Sequence, residues 1–303
     1  MPKRDFLDLV RITETEARAV LSLARVLKDG AKDAQLGALA GRGVAVIFEK
    51  HSTRTRVSFE VGIAQLGAHP VILDAQSSQL GRGEPIKDTA RVLSRYCDAI
   101  VYRTFGQERL EEMARHASVP VVNALSDEGH PVQVLCDVFT IEEALGRPIG
   151  GETVAWVGDG SSNMARSFLE AAALFGFDLV VAAPEAYAPS DADLARAKGR
   201  ARVVRDPKEA ARAARVINTD VWTSMGQDAE RAARLAALAG YAVDEALMAA
   251  APKGSIVLHC LPAHRGEEIS DKVIEGAASR VWDQAENRLH VQKALLLWLL
   301  GKG

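Results

Sequence analysis

The chain has 303 residues, of which 48% are apolar and 25% charged, the balance of a globular protein with room for two α/β domains and no disordered bias. A formal charge of -3 excludes a broad basic surface and, with it, nucleic acid as an expected partner. Cys97, Cys136 and Cys260 lie far apart, with neither disulfide nor metal spacing, so a zinc site is poorly supported and a reducing, cytoplasmic compartment is expected. Met1 to Phe6 shows no signal-peptide core, and the longest apolar run, Ala294 to Leu300, is far too short to cross a bilayer, so no membrane partner is expected.

In chain order, Thr13 to Glu16 reads as a capping box that opens a helix with Ala17, Val20, Leu21, Ala24 and Leu27 on one face, ended by Gly30. A strand, Val44 to Phe48, then leads to Ser52-Thr53-Arg54-Thr55-Arg56. Beyond it, two stripes at helical spacing, Val57, Val61 and Ala64 beside Phe59, Ile63 and Leu66, predict a second helix. Ser52 to Arg56 therefore sits at a strand-to-helix turn. Ser52 and Thr53 suit an N-cap, and free N–H donors with a partial positive charge make such a turn an anion site. Arg54 and Arg56 oppose that dipole unless an anion offsets them, and a guanidinium pairs with phosphate through two bonds.

Pro70 to Asp74 is the next strand, followed by a polar, glycine-containing loop from Ala75 to Glu84, whose composition also fits a solvated connection. Strands at Ala99 to Thr104 and Val119 to Asn123 flank a helix from Gln107. This alternation predicts a parallel sheet with helices on both faces, with ligands beyond the carboxyl ends of the strands, where Ser52, Arg103 and Asn123 are expected to converge. His130-Pro131-Val132-Gln133 opens another helix, a place where a histidine commonly serves as a cap, and the domain boundary is expected near Arg147 to Gly150.

The second half restarts the pattern with a strand over Glu152 to Val157, Gly158-Asp159-Gly160-Ser161-Ser162-Asn163 and a helix. Further strands are expected at Leu179–Ala183, Ala201–Val204, Val216–Thr219 and Ser255–His259, with Trp222 to Gly240 as a lid-like insertion and a long apolar closing helix. Gly158 and Gly160, with Glu185 after the next strand, also open a dinucleotide fingerprint, which keeps a nicotinamide-dependent dehydrogenase as an alternative. Asn163 at the third glycine position weakens it.

Ser-Thr-Arg-Thr-Arg followed by Ser58-Phe59-Glu60 resembles the carbamoyl phosphate signature of the transcarbamylase family, and His130-Pro-x-Gln133 is similar to a second family motif. Asp220-Val221-Trp222-Thr223-Ser224-Met225-Gly226 and His259-Cys260-Leu261-Pro262 are similar to the ornithine-type members. The resemblance runs from the opening helix to the last. It implies the transcarbamylase fold, two doubly wound, Rossmann-like parallel-sheet domains joined by bridging helices. Residues 1–147 would bind carbamoyl phosphate under the C-terminal helix and residues 148–303 would bind ornithine. It also implies a homotrimer, or a multiple of trimers, with active sites at subunit interfaces.

The reaction implied is attack of the ornithine δ-amine on the carbonyl carbon of carbamoyl phosphate, with no cofactor and no metal; another amine acceptor is the alternative. By resemblance, Ser52, Thr53, Arg54, Thr55 and Arg103 hold the phosphate, while Thr55, Arg103 and His130 donate to the carbonyl oxygen. Gln133 and Arg288 complete the carbamoyl phosphate contacts, Gln79 arrives from a neighbouring subunit, and the Cys260 and Leu261 carbonyls aim the amine. Asn163, Asp220, Ser224 and Met225 read the amino-acid end of ornithine. The family usually has two asparagines after Gly-Asp-Gly, whereas here Ser162 precedes Asn163. Adjacent side chains at a strand end face opposite ways, so His259 is not expected to make Cys260 a covalent nucleophile. An amine with a pKa of about 10.4 is neutral in only about one molecule in 2,500 at pH 7, so its proton must be removed or its neutral form collected.

Overall fold

The computed structural model describes residues 3–30, 37–223 and 230–302. They form two compact units, one of residues 1–136 and 286–303 and the other of residues 137–285. Among the described residues no helix is long and apolar enough to cross a membrane.

The first unit holds four parallel strands, β1 (Gly43–Phe48), β2 (His69–Asp74), β3 (Ala99–Arg103) and β4 (Val121–Leu125), in the order β2-β1-β3-β4. Around them run α1 (Glu14–Asp29), α2 (Thr53–Gln65), α3 (Ile86–Tyr96) and α4 (Gln107–His116), followed by the first turns of α5 (Pro131–Leu145). β1 and β3 are buried along almost their whole length, as central strands of a parallel sheet covered on both faces must be. From β1 the chain crosses to β2 on one side, whereas β3 and β4 lie on the other. The strand order therefore reverses between β1 and β3, where Phe48 and Arg103 are partners.

The capping box of α1 forms as its sequence predicts: Thr13 accepts from the Glu16 N–H and the Glu16 carboxylate accepts from the Thr13 N–H. Of the two stripes on α2, Phe59, Ile63 and Leu66 enter the core, whereas Val57 and Val61 stay exposed. The polar loop after β2 contains two 3-10 turns, Ala75–Ser77 and Leu80–Arg82, and buries Leu80 in the cluster formed by Ala45, Ile47 and Ile86.

The second unit holds β5 (Thr153–Val157), β6 (Asp178–Ala182), β7 (Ala201–Val204), β8 (Val216–Thr219) and β9 (Ile256–His259), all parallel, in the order β7-β6-β5-β8-β9. Its helices are α6 (Asn163–Phe175), α7 (Asp191–Arg196), α8 (Pro207–Ala211), α9 (Arg231–Leu238), α10 (Glu245–Ala250), α11 (Asp271–Ile274) and the first turn of α12 (Val281–Leu299). The order reverses again, here between β5 and β8. The chain passes from one unit to the other inside α5 and returns inside α12.

Candidate active site

Ligands of doubly wound sheets collect at such reversal points, outside the carboxyl ends of the strands. In the first unit the turn after β1 meets the end of β3 there. Ser52 is the N-cap of α2 and its hydroxyl accepts from the Thr55 N–H at 3.3 Å. The first turn of α2 carries no acidic residue, and Arg54 on it is half-buried. A cation in that position works against the helix dipole, which an incoming anion reverses. Ser52, Thr53 and Arg56 line a cleft of about 250 Å³ that reaches Asp74 at the end of β2.

Deeper in, Arg288 of α12 donates to the Thr55 hydroxyl at 2.7 Å and to the Gln133 side-chain oxygen, joining α2, α5 and α12. His130 is buried at the start of α5, where its carbonyl accepts from the Gln133 N–H. Burial, with the nearby guanidinium groups of Arg288 and Arg103, pushes its imidazole well below the ordinary histidine range. His130 is therefore neutral and carries a single ring N–H, a donor. A register shift between Tyr102 and Arg103 interrupts the β3–β4 ladder, and such a bulge re-aims the side chain beside it.

Sequence reasoning missed the support behind this cluster. The Glu49 N–H donates to the Arg103 carbonyl at 2.9 Å, and its carboxylate accepts from Thr104 and from two nitrogens of Arg109. Burial opposes ionisation of Glu49, but the bonds from Arg109 and Thr104 outweigh it and hold the carboxyl below its usual range. The available signal was a carboxylate immediately beyond a strand end. Asn123 is a correction. It lies within β4, fully buried, and donates to the Leu7 carbonyl at 2.8 Å, so it ties down the N-terminal segment and does not join Ser52 and Arg103.

Gln79 is exposed on the loop after β2, its carbonyl accepting from the N–H groups of Arg82 and Glu84. The buried Leu80 beside it anchors the loop and leaves the glutamine outward.

In the second unit the turn after β5 meets the end of β8. Ser162 is the N-cap of α6, accepting from the Ala165 N–H, with Asn163 as the first helical residue. A short hydroxyl fits that cap well, which accounts physically for a serine there. Asp159 accepts from the N–H and hydroxyl of Ser161 and pairs with the buried Arg234 of α9. A Cβ on Gly160 would fall 2.8 Å from both Pro189 and Val181, so this chain's own side chains fill the space a pyrophosphate needs. Glu185 is exposed. The dinucleotide reading thus loses its close approach.

Asp220, just past β8, is half-buried, and its Oδ1 accepts from the Val221 N–H at 2.8 Å and from Cys260 Sγ at 3.1 Å. Burial raises its carboxyl above the ordinary range. His259 is fully buried: its Nδ1 accepts from the Leu261 N–H at 2.9 Å, so Nε2 carries the proton and faces Glu268 at 3.1 Å. Neither nitrogen is left to deprotonate Cys260. Leu261 adopts a left-handed conformation, φ 60°. Ser224 and Met225 lie outside the described residues.

As a class, the molecule is a two-unit α/β enzyme with polar groups gathered at the reversal point of each parallel sheet. Residues 4–143 match the carbamoyl-P binding domain of aspartate/ornithine carbamoyltransferases, and residues 150–299 match their Asp/Orn binding domain. The chain belongs to the aspartate/ornithine carbamoyltransferase family. It is 62% identical to an ornithine carbamoyltransferase of Sorangium cellulosum, covering 99% of both chains, and 54% identical to one of Geobacter sulfurreducens, over 98% of this chain and 99% of that one. The solved ornithine carbamoyltransferase of Pyrococcus furiosus superimposes with a TM-score of 0.92 at 46% identity, covering 99% of this chain and 97% of that one.

Proposed function

We propose that the chain transfers the carbamoyl group of carbamoyl phosphate to the δ-amine of L-ornithine, giving L-citrulline and phosphate, a reading supported by relatives named ornithine carbamoyltransferase. The observation that carries this reading is the bonded cluster of Thr55, Arg288 and Gln133 with neutral His130 beside it, set at the reversal point that also holds the Ser52 turn. Ser52, Thr53, Arg54 and Arg103 hold the phosphate, whose charge grows as the carbon–oxygen bond breaks. Thr55, Arg103 and His130 donate to the carbonyl oxygen, where each donor in an oxyanion hole is worth roughly 3 kcal/mol. A neutral His130 suits this role, since it donates without surrendering a proton.

The δ-amine lone pair forms the new carbon–nitrogen bond, the tetrahedral oxyanion collapses, and phosphate leaves with the electron pair of the broken bond. Phosphate also accepts the proton the amine sheds. On the second unit, Asp220 takes the α-ammonium of ornithine, Asn163, Ser224 and Met225 are the further residues that read its amino-acid end, and the Cys260 and Leu261 carbonyls direct the δ-amine. The pathway is arginine metabolism in the cytoplasm. Assembly is a homotrimer or a multiple of it, with Gln79 reaching a neighbouring site and the exposed Val57 and Val61 supplying apolar surface for subunit contact.

Citrulline and phosphate formation from carbamoyl phosphate, measured against ornithine, aspartate, putrescine and lysine, tests the proposal. Ornithine is expected to be the preferred acceptor by orders of magnitude in kcat/KM. Preference for another amine would move the activity to a different acceptor, and no phosphate release with any of them would reject it.

A further inference from the structure

The turn that follows β9 brings together three polar atoms that the reaction does not use. His264 Nδ1, Glu267 Oε2 and Glu268 Oε2 are each shielded from solvent and have no hydrogen-bond partner. All lie within 4.8 Å of one another, and the imidazole nitrogen is 3.8 Å from both carboxylate oxygens. Glu268 is completely buried, and a carboxylate oxygen there that accepts no hydrogen bond is costly. Something is expected to satisfy it.

The group is built rather than accidental, because each carboxylate is fixed by its other oxygen. Glu268 Oε1 accepts from His259 Nε2 at 3.1 Å and from the His264 N–H at 2.5 Å, while Glu267 Oε1 accepts from Arg231. The backbone is fixed too. The Glu267 N–H donates to the His264 carbonyl at 2.9 Å and the Gly266 N–H donates to the Ile269 carbonyl at 2.9 Å, with Gly266 at φ 88° making the turn. Ligand side chains held in this way by groups behind them are the usual construction of a metal site.

We propose that His264, Glu267 and Glu268 bind one divalent first-row transition ion of the zinc class, at a site separate from the carbamoyl-transfer groups. One imidazole nitrogen and two carboxylate oxygens suit such an ion, whereas magnesium and calcium favour all-oxygen shells. Bonds of about 2.1 Å in a tetrahedron space the ligands by about 3.4 Å, so small side-chain rotations close the 3.8 Å gaps. The side chain of His264 is 41% exposed, which gives an ion entry from solvent and leaves water for the fourth position. The neighbouring group of Asp220, His259 and Cys260 is a poorer site because both nitrogens of His259 are engaged. Through Glu268 and His259, an ion at the proposed site would brace the segment carrying Cys260 and Leu261.

Chelator-stripped full-length protein, titrated with zinc against a chromogenic chelator, tests this. We expect one ion per chain and a higher melting temperature on binding. Affinity should fall by more than about tenfold in His264→Ala and separately in Glu267→Gln, since loss of groups behind the ligands alone has that effect. It should be unchanged in Cys260→Ser, and a cobalt-loaded protein should show no thiolate charge-transfer band. Absence of saturable one-to-one binding, survival of binding in both the His264 and Glu267 variants, or its loss in Cys260→Ser would each overturn the proposal.

Discussion

His130 illustrates how a single residue's surroundings set its chemistry. Its folded pKa lies well below that of an unfolded histidine, near 6.5, so below that pH the unfolded chain binds a proton the folded one refuses. The contribution of His130 to stability is thus complete above the unfolded value and declines as pH falls through it towards the folded one. Relative to His130→Gln, the wild type should lose stability between pH 7.5 and 5.5 in denaturant titrations, by at most about 1.4 kcal/mol. A pH-independent difference between the two proteins would contradict a neutral His130. Cys260 makes a second case. Its thiol donates to Asp220 at 3.1 Å, a bond a serine hydroxyl can replace, and His259 is spoken for. Cys260→Ser should keep more than about a tenth of wild-type turnover, a change below about 1.4 kcal/mol in barrier. Mass spectrometry should find no adduct during turnover; a thiocarbamate trapped on Cys260 would reverse the assignment.

Among the elements, α9 shows what local sequence hides. The stretch from Trp222 to Gly240 reads as an Ala-rich, charged insertion, yet Arg234 within it is buried. It pairs with Asp159, donates to the Trp222 carbonyl at 2.5 Å and lies over the Tyr187 ring at 4.6 Å. Its main partner is far upstream in the chain, so no window of sequence contains the pair. Arg234→Met should destabilise the second unit by about 3–5 kcal/mol, the cost of stranding a buried carboxylate. Adding Asp159→Asn should recover much of that, because the stranded charge is gone. A double variant no more stable than Arg234→Met would show that the pair contributes little. Elements with strong local signals were legible: the Thr13 capping box, the Ser52 turn and the strands of both sheets rest on nearest-neighbour chemistry and periodicity. The short helices α7, α8, α10 and α11 were not, since four to six residues span too few turns to display a stripe. His264, Glu267 and Glu268 carry no such local signal, since no cysteine spacing marks them and the turn after β9 is what brings a histidine and two glutamates together.

For the whole molecule, the sheet orders carry most of the functional information. Each sheet reverses once: Ser52 and Arg103, proposed for carbamoyl phosphate, lie after β1 and at the end of β3, while Asn163 and Asp220, proposed for ornithine, lie after β5 and just past β8. Alternation of strands and helices predicts parallel sheets, but not which strands are adjacent; that follows from long-range pairing. The Gly158 to Gly160 turn shows the same limit. Its sequence admits a dinucleotide, and only the packing of Pro189 and Val181 against Gly160 removes that possibility. The chain is proposed to make citrulline with carbamoyl phosphate assigned to the first unit and ornithine to the second. The most direct measurement is steady-state citrulline formation, with both substrates varied, for the wild type, Arg54→Lys and Asp220→Asn. The wild type should form citrulline. Arg54→Lys should lose turnover strongly, having kept its charge but lost bidentate geometry. Asp220→Asn should raise the KM for ornithine by about tenfold or more, the loss of about 1.4 kcal/mol of binding, with the KM for carbamoyl phosphate nearly unchanged. No citrulline from the wild type, or equal losses for both substrates in Asp220→Asn, would contradict the account.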